Sequence, residues 1–193
     1  FMPRIETETL AQHRDWRRNQ LIEAAASIAL ESGGAAVTVA AVAQRAGLSR
    51  TSVYEYFGSS ADLVADLVLE ELKNFAQYLQ EAVSQTDQPV DNIHAWIESA
   101  LTYIADGRHL LAKALNASSL PQERSMAIGT AHRALLAPLV SGLTAMGIKD
   151  TQRALLFIQA ITDASTKRIE GGHDAEAEIK SATAFCIAGL TSI

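Results

Sequence analysis

The most specific chemistry in this 193-residue chain lies in one octapeptide: Ser49, Arg50, Thr51, Ser52, Val53, Tyr54, Glu55 and Tyr56. A guanidinium, three hydroxyls and two phenols fall within about two helical turns. Such groups suit base edges and phosphate oxygens. Arg50 can pair with guanine or phosphate, Thr51 and Ser52 can reach bases or backbone, and Tyr54 and Tyr56 offer hydroxyls to phosphates. Nothing comparable points to catalysis. His13, His94, His109, His132 and His173 are scattered, with no pair at metal-ligand spacing on one helix. There is no HExxH, no glycine-rich phosphate loop and no nucleophile elbow. Asp62 with Asp66, and Glu70 with Lys73, share helix faces and read as solvated charges. No catalytic residue, metal ligand or cofactor is assigned, and an enzyme is not expected.

Short, punctuated helices must position that octapeptide. Thr38 can cap a helix over Val39–Ala46, with Val39, Val42 and Ala43 on its inner side. Gly47 ends it, Leu48 plugs the turn, and Ser49 caps a second helix to about Tyr56, anchored by Val53 and Phe57. An eight-residue helix, a short glycine turn and another short helix make a helix-turn-helix. Ala43 must be small because the second helix crosses close by, and that helix presents its N-terminal side chains outward. A helix over about 12–32 precedes this pair, with Leu21, Ile22, Ala25, Ile28 and Ala29 at helical steps and Gly33-Gly34 as its stop. Ser59-x-x-Asp62 has capping-box spacing and opens a helix to about Val83. The spacing alone leaves two readings open, since capped short helices also occur in proteins that bind no DNA, and tyrosines also serve packing.

Apolar residues make up 48% and aromatics 6%, a balance that favours helices over β-sandwich strands. Five further helices are expected over about 90–105, 108–117, 121–146, 151–170 and 175–191, with Asp150 able to cap the fourth and Pro138 kinking or dividing the third. About nine helices without a convincing strand make the fold all-α. The net charge of −6 excludes a uniformly basic nucleic-acid coat, yet residues 1–60 balance six Arg against six acids, while 61–193 carry ten basic and sixteen acidic residues. Local clustering of cations, not the total, decides phosphate contact. A single cysteine, Cys186, excludes an internal disulfide framework and fits a reducing compartment. The longest charge-free apolar run, 134–148, is 15 residues and is broken by Pro138 and Gly142, too short to span a bilayer. Charges at Arg4, Glu6, Glu8, Arg14 and Asp15 interrupt any secretory apolar core. No membrane association and a cytoplasmic location are expected.

Residues 17–69 resemble the N-terminal DNA-binding domain of the TetR family of bacterial transcriptional regulators. The most specific pieces are Ala43-Gln-Arg-Ala-Gly-Leu-Ser49 and Ser52-Val-Tyr-Glu-Tyr-Phe57, correctly spaced after a helix of suitable length. The resemblance implies a three-helix DNA-binding domain over 1–58 and a helical ligand-binding and dimerisation domain over 59–193. It implies DNA contacts from Arg17, Arg18, Thr38, Arg45, Ser49, Arg50, Thr51, Ser52, Tyr54 and Tyr56. The chain departs from the family pattern in places. Ser60 stands where a phosphate-contacting lysine is usual, and Glu55 where a basic or neutral residue is common. Ala29 and Gly34 replace bulky aromatics. Arg4, Arg14, Arg17 and Arg18 can restore the missing phosphate attraction; a solvated helix face is their plain alternative.

The C-terminal part offers a pocket lining and a pairing face. Phe75, Tyr78, Trp96, Ala100, Tyr103, Leu111, Asn116, Met126, His132, Phe157 and Gln159 are large or polar residues on apolar faces, or pack close to them. Few charges share those faces, so an effector would be small and largely apolar. Ordinary core packing explains any one of them equally. Ala154, Ile158, Ile161, Thr162 and Ser165, with Ile179, Ala182, Phe185 and Cys186, form small-residue stripes suited to a two-fold four-helix bundle between two copies. The expected function is a ligand-responsive repressor that binds a palindromic operator as a homodimer and is released by its effector. The alternative is a dimeric helix-turn-helix regulator with no effector, its C-terminal core serving dimerisation alone.

Overall fold

The computed structural model describes residues 10–115 and 120–192. Among the described residues the chain is all helical: α1 (Leu10–Ser32), α2 (Val39–Ala46), α3 (Arg50–Tyr54), α4 (Ser60–Val83), α5 (Pro89–Ala105), α6 (Leu110–Leu115), α7 (Ser125–Ala145), α8 (Thr151–Glu170) and α9 (Ala175–Leu190). Single 3₁₀ turns occupy Gly34–Ala36 and Gln122–Arg124. The expected boundaries differ little, with two exceptions. Pro138 does not divide its helix, since α7 continues unbroken on both sides of it. The stretch read as one helix from 121 opens instead with a 3₁₀ turn.

The chain forms two compact units, and the division falls inside α4 after Val68. The first unit also takes in the described residues of 111–125. Its core gathers Leu21, Ala25 and Ile28 of α1, Val42 of α2, Val53 of α3, Phe57, and Leu63 and Leu67 of α4, with Leu115 from the later segment. Complete burial of such aliphatic side chains stabilises by roughly 1.5–3 kcal/mol each. Caps set the helix starts. The Thr38 hydroxyl accepts from the Ala41 amide at 3.1 Å, and the Ser49 hydroxyl accepts from the Ser52 amide at 3.1 Å. Gly47 closes α2 in the left-handed region, at φ 67° and ψ 31°, which a side chain would strain.

The second unit packs α5, α8 and α9 on one another, with α7 and the later part of α4. Trp96 is buried, and its indole donates to the Leu135 carbonyl at 2.9 Å, tying α5 to α7. Gly142 permits the same approach, since a β-carbon there would meet Ile93 Cγ1 at 3.0 Å. Asp150 caps α8 by accepting from the Arg153 amide at 3.0 Å, as expected.

Candidate nucleic-acid interface

Helix α3 is one-sided. Val53 is fully buried and Phe57 nearly so, whereas Arg50, Thr51 and Tyr54 are exposed, Tyr54 by 57%. The apolar pair nails the helix down and leaves its polar side open. Among the described residues the Arg50 and Thr51 side chains have no hydrogen-bond or ion-pair partner, while the Thr51 carbonyl accepts from the Glu55 amide at 3.3 Å. Ser49 and Ser52 are engaged with each other, their hydroxyls 3.0 Å apart. Tyr56 is half-buried in the turn after α3. Thr38, exposed at the head of α2, keeps its hydroxyl proton available while its oxygen caps the helix.

The flanking arginines divide by what they hold. Arg18 donates to Asp66 at 2.9 Å and lies 5.6 Å from the Phe57 ring centre, so it braces α1 against α4. Asp66 also receives Arg124 at 3.1 Å, and Arg124 stands 3.7 Å from Asp62. The two carboxylates read as solvated are therefore paired, and Asp66 is only 14% exposed. Sequence spacing shows their shared face but not a partner from the distant segment around 124. Arg45 makes a two-pronged contact with Glu31, at 2.9 and 2.7 Å. That hydrogen bond holds the Glu31 carboxyl below its ordinary range. The pair is exposed, so it competes only weakly with phosphate for the guanidinium. Arg17 is half-buried and Arg14 exposed, and neither has an ion-pair partner among the described residues. Arg4 lies outside the described residues.

At the head of α4 the Ser60 hydroxyl accepts from the Val39 amide at 3.0 Å. A residue unusual for the resemblance thus satisfies the start of α2. Ser59 accepts from the Asp62 amide at 3.1 Å and donates to the Asp62 carboxylate at 2.8 Å. The expected capping box is altered, because the carboxylate meets the serine hydroxyl and Arg124.

Residues 21–67 match the bacterial regulatory proteins of the tetR family. Over that N-terminal segment the chain is similar to the TetR family. Among curated TetR-like relatives, the HTH-type transcriptional regulator BetI of Brucella canis is 34% identical over 96 residues, covering 50% of this chain and 46% of that protein. The HTH-type transcriptional activator FasR of Mycolicibacterium smegmatis is 28% identical over 91 residues, covering 47% and 42%. The chain thus spans about half the length of the curated relatives it matches. Among solved structures, the transcriptional regulator FadR from Bacillus subtilis, in complex with stearoyl-CoA, has a TM-score of 0.72 at 22% identity, covering 89% of this chain and 98% of that one. At that identity the likeness establishes the TetR-like fold.

The expected effector residues do not gather in one place. Phe75, Tyr78 and Tyr103 do: Phe75 stacks on Tyr103 at 4.3 Å between ring centres, and Tyr78 lies 5.4 Å from it. Arg108 covers Tyr78 at 4.5 Å and Tyr103 at 5.2 Å. Burial pushes the half-buried Glu71 carboxyl upward, and Glu70 adds to it; burial likewise raises Tyr103. Trp96 and Ala100 are core residues of the second unit, and Gln159 is half-buried. Leu111 packs against the core of the first unit instead. Met126 is 82% exposed, His132 is exposed, and Phe157 is exposed on α8. Asn116 lies outside the described residues.

Of the residues expected to pair two copies, Ala154, Ile158, Thr162, Ser165, Ala182 and Cys186 are buried within the subunit itself. Ile161 and Ile179 are half-buried, while Phe185 is 71% exposed. The inward stripe of each helix was legible as apolar, but its direction was not. Sequence reasoning missed Leu156 and Gly189, both exposed. An apolar groove of about 440 Å³ runs between α8 and α9, lined by Phe157, Ile161 and Phe185 over a floor of Ile158 and Cys186. Burial raises the Cys186 thiol to about 11, so it stays protonated at neutral pH. Among the described residues no helix is long and apolar enough to cross a membrane, and no cluster of His, Cys, Asp or Glu is arranged to hold a metal.

Proposed function

We propose that this chain is a ligand-responsive transcriptional repressor that binds a palindromic DNA operator as a homodimer. The observation that carries the reading is the one-sidedness of α3: Val53 and Phe57 buried, and the Arg50, Thr51 and Tyr54 side chains exposed with no hydrogen-bond or ion-pair partner among the described residues. Such a helix fits the major groove, with Arg50 directed to guanine or phosphate and Tyr54, Tyr56 and Thr38 on the backbone. Arg17, Arg45, Ser49 and Ser52 complete the DNA-facing group. Arg18 contributes by bracing α1.

The groove between α8 and α9, flanked by Phe157 and Phe185, supports pairing with a second copy, since exposed apolar patches of this kind mark association sites. A duplex read by two α3 helices on one face has half-sites about 34–36 Å apart, one turn of DNA. The effector is a small, largely apolar molecule acting on the second unit around Phe75, Tyr78 and Tyr103. A specific observation favours the reading without an effector: those three rings pack on one another instead of standing apart.

Selection of bound duplexes from a random pool by the full chain tests the proposal. The expected result is an inverted repeat with half-sites one helical turn apart. Recovery of unrelated sequences, or of none, would overturn it. Calorimetry with a panel of apolar compounds separates the two effector readings, because binding to the folded state raises the melting temperature.

A further inference from the structure

We infer that Arg124 is a positioning residue for the DNA-reading helix: it touches no DNA, and it fixes the seating of α3 through Asp62 and Asp66 on α4. This rests on the reading that α3 enters a DNA groove. All the residues involved belong to the first unit. Helix α3 ends at Tyr54, and residues 55–59 carry the chain from it to α4. Whatever holds that junction therefore sets the pose of the reading side chains.

Two routes lead from Arg124 to the junction. In the first, Arg124 Nη1 lies 3.1 Å from Asp66 Oδ1, and the other oxygen of that carboxylate takes Arg18 at 2.9 Å. The Arg18 guanidinium in turn rests 5.6 Å from the ring centre of buried Phe57. In the second, Arg124 Nε stands 3.7 Å from Asp62 Oδ1, while Asp62 Oδ2 accepts from the Ser59 hydroxyl at 2.8 Å. The same oxygen lies against Gly58, where a β-carbon would meet it at 3.0 Å. Both routes end on the consecutive residues Phe57, Gly58 and Ser59.

Charge explains why the arginine is needed. Asp62 and Asp66 are about one turn apart on α4, where like charges repel. Their side chains are only 28% and 14% exposed, so water screens them in part. Among the described residues Arg18 pairs with Asp66 alone, and Arg124 is the cation that reaches both carboxylates. Without it one cation faces two acids, and an unpaired, partly buried carboxylate lowers its energy by turning toward water. That turn takes Asp62 away from Gly58 and Ser59 and loosens the junction behind α3.

The test uses the full chain, a duplex recovered by selection and an unrelated duplex of equal length, with affinity measured from about 0.05 to about 0.2 M salt. Arg124→Gln should weaken binding to the selected duplex roughly three- to thirtyfold. The slope of log K against log salt and the affinity for the unrelated duplex should be unchanged, because no phosphate contact is lost. Arg124→Lys, which keeps the charge, should recover most of the loss. Asp62→Asn removes a negative charge, which by electrostatics alone would strengthen binding to a polyanion; as part of the clamp it should weaken binding instead. In the Asp62→Asn, Asp66→Asn background, Arg124→Gln should cost nothing further. Circular dichroism at the assay temperature establishes that each variant is folded, and Asp62→Asn carries the test if Arg124→Gln is not. Wild-type affinity in Arg124→Gln, or tighter binding in Asp62→Asn, overturns the inference. A slope lowered by about 0.9 in Arg124→Gln also overturns it, since the arginine would then be a phosphate contact. Both results leave the α3 reading intact, whereas failure of the wild type to bind any duplex overturns that reading.

Discussion

The two units bury similar aliphatic cores and differ in what they leave outside. In the first unit, Leu21, Val42, Val53 and Leu63 are fully buried, and the conspicuous exposed aromatic next to that core on α3 is Tyr54, which ends in a hydroxyl. In the second, Leu79, Ile93, Ile97 and Leu139 are equally buried, yet Leu156, Phe157 and Phe185 stand out in solvent without a polar side-chain atom among them. A surface of hydroxyls and a guanidinium seeks hydrogen-bonding oxygens, whereas a surface of phenyl and isobutyl groups seeks another apolar surface. The proposed function follows that contrast, assigning a polyanion to α3 and another protein face to the α8–α9 groove.

Breaking each face separately sharpens the contrast. The largest effect is expected from Phe157→Glu combined with Phe185→Glu, which should yield monomers by light scattering while the circular dichroism spectrum is unchanged, because both side chains are already exposed in the subunit. A persistent dimer would move pairing off the groove. Leu63→Ala should do the opposite, costing about 2–5 kcal/mol in denaturant unfolding through the cavity it leaves, with no change in oligomeric state beyond what unfolding causes. Asp66→Asn weakens the acceptor shared by Arg18 and Arg124 and should cost about 1.5–3 kcal/mol in the same unfolding measurement.

The smallest effect concerns pH. Burial raises the Glu71 carboxyl in the folded chain above the ordinary value of 4.5. The folded state therefore holds the Glu71 proton more tightly than the unfolded state does. The resulting penalty is absent below the ordinary carboxylate range and grows as pH rises from there, reaching its full size above the raised folded value. Glu71→Gln should accordingly raise the melting temperature at pH 7 and confer no advantage at pH 3. An equal shift at both pH values would assign the effect to something other than ionisation.

Much of the first unit was legible because its signals are local. Thr38, Gly47 and Ser49 act on amides and dihedrals within a few residues, and Val53 and Phe57 lie one helical turn apart. The bonds that tie elements together were not legible. Nothing near Asp66 in sequence announces Arg124, and nothing near Ser60 announces the Val39 amide. In the second unit an apolar stripe on α8 or α9 is visible in the spacing, but a helix apolar on more than one side leaves open which stripe faces inward. Ile158 and Cys186 turn into the subunit, and Phe157 and Phe185, one residue away in each case, turn out. Leu111 illustrates a further limit, since its chain position beyond α5 does not reveal that it joins the core built by α1 to α4.

The central claim is that the open side of α3 contacts duplex DNA, and Arg50 is its sharpest probe. Affinity of Arg50→Ala for the selected duplex, measured beside the wild type at one fixed salt concentration, tests it most directly. The account predicts that binding weakens by about 1–3 kcal/mol, concentrated at one base position of each half-site, with helicity and melting temperature unchanged. Wild-type affinity and wild-type sequence preference in Arg50→Ala would contradict it.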